Sequence, residues 1–328
     1  MWRAFTLICL LVFSIGLAQE EVREDLQVTL VSLYVSAVDE DGNYVTDLKP
    51  EDFILLENGQ IQTINTFSGG SDDVSLTIAF LMDNSGSITA SDLEMARGAG
   101  LLLLREMQQD DKFFLITFRH STKSLVEPTF DKQQIESTLQ TIRPQYGTTA
   151  LYDAIYQAAG KLDRELGRKV LLLFSDGQDN TSTRRLNDLL TGVAALTDIT
   201  VISVGTPFHK QSAERYGALE AHKKGRTALE QLAQTTGGFS VFPENNAELN
   251  KVVLGLRNWI RNQYTIGYYP TNRKQDGSWR EIRLQSRRKE VRLSYRNGYF
   301  APDAADTIRT GHSAVSDEHG YGTTDEHR

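Results

Sequence analysis

The stretch Leu76-Thr77-Ile78-Ala79-Phe80-Leu81-Met82-Asp83-Asn84-Ser85-Gly86-Ser87 decides how the rest of the chain is read. Its first seven residues are almost continuously apolar, as expected of a strand covered on both faces. The run then breaks into Asp, Asn, Ser and Gly, which favour turns and helix starts. Ala90–Met107 follows with helical periodicity, placing Leu93, Ala96, Ala99, Leu103 and Leu104 near one face.

Working outward, the same alternation recurs. Lys112–Phe118 reads as strand, Lys132–Ile142 and Ala150–Leu162 as helices, and Lys169–Phe174 as the next apolar strand. Arg184–Leu196 reads as helix and Ile199–Val204 as strand, while the polar residues 206–226 read as an irregular surface excursion. Ala228–Gln234, Phe239–Phe242 and Ala247–Gln263 continue the pattern. Strands alternating with helices predict an α/β, Rossmann-like fold with a mostly parallel central sheet flanked by helices.

The flanks are different. Residues 19–73 read as β structure, with Asn58-Gly59 as a hairpin turn and Gly69-Gly70-Ser71-Asp72-Asp73 as a linker. Residues 264–302 read as short strands, and 303–328 lack an apolar pattern and read as a disordered tail. Chain ends tend to lie close together, so the two β segments are expected to pair into one small β unit beside a central domain at 74–263. Residues 1–18 read as a secretory signal peptide: Arg3, an apolar run from Phe5 to Leu17, and a small-residue cleavage site at Gly16-Leu17-Ala18. Export to the periplasm or medium follows, with no stable membrane span in the mature chain. Cys9 is the single cysteine and falls in that leader, so no disulfide is expected.

A formal charge of −8 argues against a general nucleic-acid binder, because there is no surplus of cations to neutralise phosphates. His312, His319 and His327 have no spacing that fixes a metal geometry and read as part of a solvated tail; His120, His209 and His222 are isolated. Asn180-Thr181-Ser182 fits a glycosylation acceptor, a short and weak pattern.

Three oxygen-rich segments stand out: Asp83-Asn84-Ser85-Gly86-Ser87, Gly147-Thr148-Thr149 and Phe174-Ser175-Asp176-Gly177. Each alone is an ordinary turn or helix cap. An open parallel sheet, however, gathers such segments beyond the carboxyl ends of its strands, where ligands bind. Hydroxyls and carboxylates without thiol or imidazole suit a hard divalent cation such as Mg2+.

With these motifs the chain resembles the von Willebrand factor A domain family, whose metal-ion-dependent adhesion site reads Asp-x-Ser-x-Ser, then Thr, then Asp. By position, Asp83, Ser85 and Ser87 match the first motif, Thr149 the second and Asp176 the third. Thr149 is chosen over its neighbour Thr148 because Ala154-Ile155 follow at the family's spacing. Val45–Phe53, Glu57-Asn58-Gly59, Ala150–Ala154, Gly267–Pro270 and Gly298–Pro302 are also similar to a group of secreted bacterial proteins carrying such domains, first recognised in acidobacteria. The similarity covers roughly residues 27–302.

The resemblance implies an exported, non-enzymatic protein-binding or adhesion module. Ser85, Ser87 and Thr149 would touch Mg2+ (or Mn2+ or Ca2+) directly or through water, and Asp83 and Asp176 would act largely through water. A partner's Asp or Glu carboxylate would complete the coordination. Two other readings stand beside this one. The chain could be a structural or assembly subunit whose metal only stabilises the sheet. It could also be a metal-dependent hydrolase, although Ser85 stands where a phosphatase would carry a second carboxylate, and no Gly-x-Ser-x-Gly elbow is present.

Overall fold

The computed structural model describes residues 30–69, 75–207 and 218–302. The expected leader, most of the linker, His209 and the tail with its three histidines lie outside them.

Four strands open the described chain: β1 (Val31–Val38), β2 (Phe53–Glu57), β3 (Gln60–Ile61) and β4 (Thr66–Ser68). β2 and β3 form a hairpin whose turn, Asn58-Gly59, has positive φ at both residues. Only Asn, Asp and Gly take that conformation readily, which is why this dipeptide signals a hairpin.

The central unit follows: β5 (Leu76–Asp83), α1 (Ala90–Glu106), β6 (Lys112–Phe118), β7 (Thr122–Thr129), α2 (Lys132–Leu139), α3 (Leu151–Leu162), β8 (Arg168–Ser175), α4 (Leu186–Ala195), β9 (Ile199–Gly205), α5 (Ala218–Thr235), β10 (Ser240–Val241) and α6 (Asn246–Arg261). Its six strands run in the order β10-β9-β8-β5-β6-β7, all parallel except β7. β5 is buried along its whole length. Ile78, Phe80 and Met82 pack under α1, α2 and α6, while Ala79 and Leu81 pack under α3, α4 and α5. The chain leaves β5 towards β6 and returns on its other side as β8, which makes the β5–β8 boundary a topological switch point.

Two segments differ from the sequence reading. β7 went unread because it is an edge strand: polar, half-exposed and carrying Pro128, which an edge tolerates and a central strand does not. Residues 218–226 are helical rather than irregular, since α5 begins well before its apolar stripe. Gly225 obscures that turn of helix in the sequence and has a packing role described below.

The chain closes with β11 (Tyr264–Tyr268), β12 (Trp279–Ser286), β13 (Arg292–Ser294) and β14 (Gly298–Phe300). These pair with the N-terminal strands into two four-stranded sheets, β13-β1-β11-β4 and β14-β12-β2-β3. Leu33, Phe53, Leu55, Tyr264, Ile266 and Leu284 share one apolar core between them. At its centre the buried Glu57 carboxylate accepts from the hydroxyls of Tyr268 (2.7 Å) and Tyr299 (2.9 Å).

Two buried arginines tie these strands to the central sheet. The Arg168 guanidinium, at the start of β8, donates to the carbonyls of Ile260 and Gln263 and to the Thr265 hydroxyl, and lies 4.8 Å from the Tyr34 ring centre. Arg296 donates to the carbonyls of Gly298, Leu196 and Ala194, closing the C-terminus of α4. Burial pulls both guanidinium pKa values down to about 10.

Candidate functional site

Asp83 is the last residue of β5, completely buried, and its two oxygens are committed differently. Oδ1 accepts the Ser85 backbone N–H at 2.9 Å, which folds the chain sharply after the strand. Oδ2 accepts the Ser175 hydroxyl at 2.8 Å, bridging to the end of the neighbouring β8. The sequence placed Ser175 in one of the oxygen-rich segments but gave it no role in the site.

The bend after Asp83 turns the Ser85 side chain towards two other hydroxyls. Thr149 Oγ1 donates to Ser85 Oγ at 2.9 Å, and Ser87 Oγ lies 3.4 Å from Ser85 Oγ. Thr149 is buried and makes this contact, whereas Thr148 is exposed. Backbone contacts hold the segments in place: Gly86 N–H donates to the Gly147 carbonyl at 3.2 Å, and Gln145 N–H to the Asn84 carbonyl at 3.0 Å. Gly147 has φ +144, a value that favours glycine.

Asp176 follows β8 and accepts from the Gln178 backbone at 3.0 Å and from its side-chain amide at 2.8 Å; the Ser87 hydroxyl also bonds to it. The turn behind it sits hard against α5. Gly177 has φ +80, and a Cβ there would collide with the Gly225 carbonyl oxygen. Both glycines are therefore needed for this close approach. His222, one turn earlier on α5 and buried, only partly opposes the rise that burial imposes on the Asp176 pKa. Its isolation in the sequence hid this placement.

The site thus brings Asp83, Ser85, Ser87, Thr149 and Asp176 together at the carboxyl ends of β5 and β8. Its electrostatics are unfavourable as they stand. Burial and the neighbouring Asp176 charge push the Asp83 carboxyl up to about 7. Burial likewise raises Asp176 above the usual carboxylate range, against the pull of its hydrogen bonds and His222. Two acidic groups are held beside three converging hydroxyls, and that donor set fits a hard cation, which would relieve the repulsion. Among the described residues no group of three or more His, Cys, Asp and Glu could hold a metal, so a cation here would depend on the hydroxyl oxygens.

Asn180 is a further residue the sequence did not flag for this site. Its side-chain oxygen accepts the Thr149 N–H at 2.8 Å, while the N–H groups of Asn180 and Thr181 donate to the Thr149 carbonyl at 3.0 and 3.2 Å. The loop after β8 thus grips the backbone of Thr149 from both sides. If these hydroxyls hold a cation, Asn180→Ala should weaken Mn2+ binding about tenfold, with Asn180→Asp restoring most of it by supplying an acceptor oxygen. Isothermal titration checks this, and equal affinity in the alanine variant would remove Asn180 from the site.

Residues 78–178 match the family model described as von Willebrand factor type A domain. This chain carries a von Willebrand factor type A domain. The matched stretch contains all five residues of the site. No curated protein matches the chain. Among solved structures, an aerotolerance-related membrane protein from Bacteroides fragilis is 19% identical over 56% of this chain and 99% of its own, with a TM-score of 0.45. Proximal thread matrix protein 1 from the mussel byssus, with a zinc-occupied MIDAS motif, is 16% identical over 62% of this chain and 49% of its own, at 0.49. The von Willebrand domain of the type V pili tip protein Mfa5 from Porphyromonas gingivalis is 13% identical over 57% and 96%, at 0.45.

Proposed function

We propose that the von Willebrand A domain, at about 74–263, is an exported, non-enzymatic binding module that engages an acidic group of a partner protein through a divalent cation. The observation that carries this reading is the meeting of the Ser85, Ser87 and Thr149 hydroxyls beside two buried carboxylates with raised pKa values. Ser85, Ser87 and Thr149 hold the ion, and Asp83 and Asp176 orient those hydroxyls and the ion's waters. Mg2+ or Mn2+ is the expected occupant, since neutral hydroxyls leave the ion much of its charge and one open position for a carboxylate.

Export rests on the leader read at residues 1–18. Among the described residues no helix is long and apolar enough to cross a membrane. The N- and C-terminal strands, which the resemblance relates to secreted bacterial proteins, fix the domain from the side opposite the site: Arg168 stands at the start of β8, and Ser175 and Asp176 at its end.

Titration of Mn2+ into wild type and Asp83→Ala tests the ion. Binding is expected in the first and absent in the second, and equal binding would remove the site. A pull-down from envelope or culture supernatant, with Mg2+ and again with chelator, tests the partner. A partner retained equally in chelator would favour a structural subunit instead.

A further inference from the structure

The hydroxyl cluster has a neighbour that the metal reading does not use. β6 ends at Phe118, and Arg119 and His120 continue beyond it beside Gly147. A Cβ built on Gly147 would lie 3.8 Å from His120 Nδ1 and 3.9 Å from Arg119 Nη1. Arg119 Nη1 donates to the Tyr146 carbonyl at 3.2 Å. Tyr146 itself is 95% exposed, the most exposed large hydrophobic side chain among the described residues. Gly147 is also the residue whose carbonyl accepts from Gly86, between Ser85 and Ser87. One short ridge therefore presents an arginine, a histidine and an open aromatic ring next to the proposed ion site.

The charge around this ridge is unlike that of the rest of the chain. The protein has 43 acidic residues against 35 basic ones, yet Lys112–Val126 and Ser137–Tyr152 contain no Asp or Glu. Of their cations, Arg119, Lys123 and Arg143 lie beyond or next to the carboxyl end of β6, whereas Lys112 stands at its other end and pairs with Glu165. The site's own carboxylates, Asp83 and Asp176, come instead from β5 and the end of β8, and the next acidic groups, Asp153 and Asp179, from the start of α3 and the loop after β8. Such a division favours an approaching chain that is itself acidic, with its surplus negative charge on the β6 side. Arg119 suits that role because its fork is planar and one nitrogen is already anchored to the Tyr146 carbonyl, so less motion is lost on pairing.

We propose that Arg119, His120 and Tyr146 form a cationic, aromatic-edged lip that selects a protein segment carrying a second carboxylate beside the one taken at the hydroxyls. This rests on the binding role proposed above and adds to it the chemistry of the partner. Arg119 pairs with the second carboxylate, and Tyr146 covers the peptide between the two.

Fluorescein-labelled peptides of Gly and Ser carrying either one Asp or two Asp a few residues apart test it, by anisotropy at saturating Mn2+. Wild type is expected to bind the two-carboxylate peptide about three- to tenfold more tightly than the other. In Arg119→Gln the two peptides should bind alike, and Arg119→Lys should keep part of the difference. Tyr146→Ser, at a fully open position, should weaken both peptides. No binding of the two-carboxylate peptide, no preference for it in wild type, or a preference that survives in Arg119→Gln would each overturn the proposal. Light scattering run alongside covers the other occupant: dimers that dissociate in Arg119→Gln would mean that the lip faces a second copy of this chain, and the proposal falls. Chelator separates the two levels. Peptide binding that ignores chelator would sink the metal reading, while the Arg119 comparison would still report on the lip.

Discussion

Exchanging Asp83 for asparagine is expected to make the metal-free protein more stable above about pH 7 while abolishing its stabilisation by Mn2+. Asparagine keeps the shape of the carboxylate and the oxygen that accepts the Ser85 N–H, and the Ser175 hydroxyl can accept where it formerly donated. What it removes is a buried charge beside Asp176. Folding raises the Asp83 carboxyl from an ordinary 3.8 to about 7. A group raised in this way binds its proton more tightly in the folded chain. Its contribution to stability is therefore complete below the unfolded value and is lost as pH rises through the folded one. Metal-free wild type should thus lose stability between about pH 4 and pH 7, and Asp83→Asn should lose much less. A divalent cation reverses the order. At a hundredfold excess over its dissociation constant it adds about 2.7 kcal/mol to wild type, or roughly 5–10 °C in Tm for a domain of this size. Thermal melts on both sides of neutrality, with Mn2+ and with chelator, check both halves. A variant that still gains a full Mn2+ shift would show that the ion, if bound, sits elsewhere.

How far the sequence foretold this arrangement depended on which surface each residue faces. β5 and β8 were readable because strands covered on both sides are apolar throughout, and their abrupt change to Asp or Ser marks the sheet's edge. The five oxygen-bearing residues were readable as three segments, and the resemblance joined them. β7 was not, since an edge strand with pattern-free polarity looks like a loop until its partner β6 is known. Asn180 and His222 were invisible for a different reason. Each acts on a residue 31 or more positions away, Asn180 on the Thr149 backbone and His222 on the Asp176 charge. No local periodicity records such a contact. Gly225 was misleading: in the sequence it weakens a helix, and in the fold it is what lets α5 touch the Asp176-Gly177 turn.

Arg296→Met is expected to produce the largest loss of stability of any single change outside the site. Arg296 is 2% exposed, and its fork donates to three carbonyls at 2.7 to 3.1 Å, two of them at the end of α4. The last carbonyls of a helix have no partner within it, so this side chain from the C-terminal strands does for α4 what a C-cap does elsewhere. Methionine fills part of the volume but donates nothing, leaving buried carbonyls without partners at about 1–3 kcal/mol each. The combined cost, about 3–5 kcal/mol, would lower Tm by roughly 10 °C or more. Hydrogen exchange should locate the damage in the final turn of α4 and in β14, with β5 and its buried neighbours still protected. The distribution matters more than the total. If the Mn2+ affinity of Arg296→Met matches wild type while α4 loosens, the terminal strands act as a brace that the cation site does not sense. If the affinity falls in step with the loss of protection in α4, the brace is coupled to the site, and α5, which packs against both α4 and the Asp176-Gly177 turn, is the element that links them. A Tm within about 1 °C of wild type would refute the capping role itself.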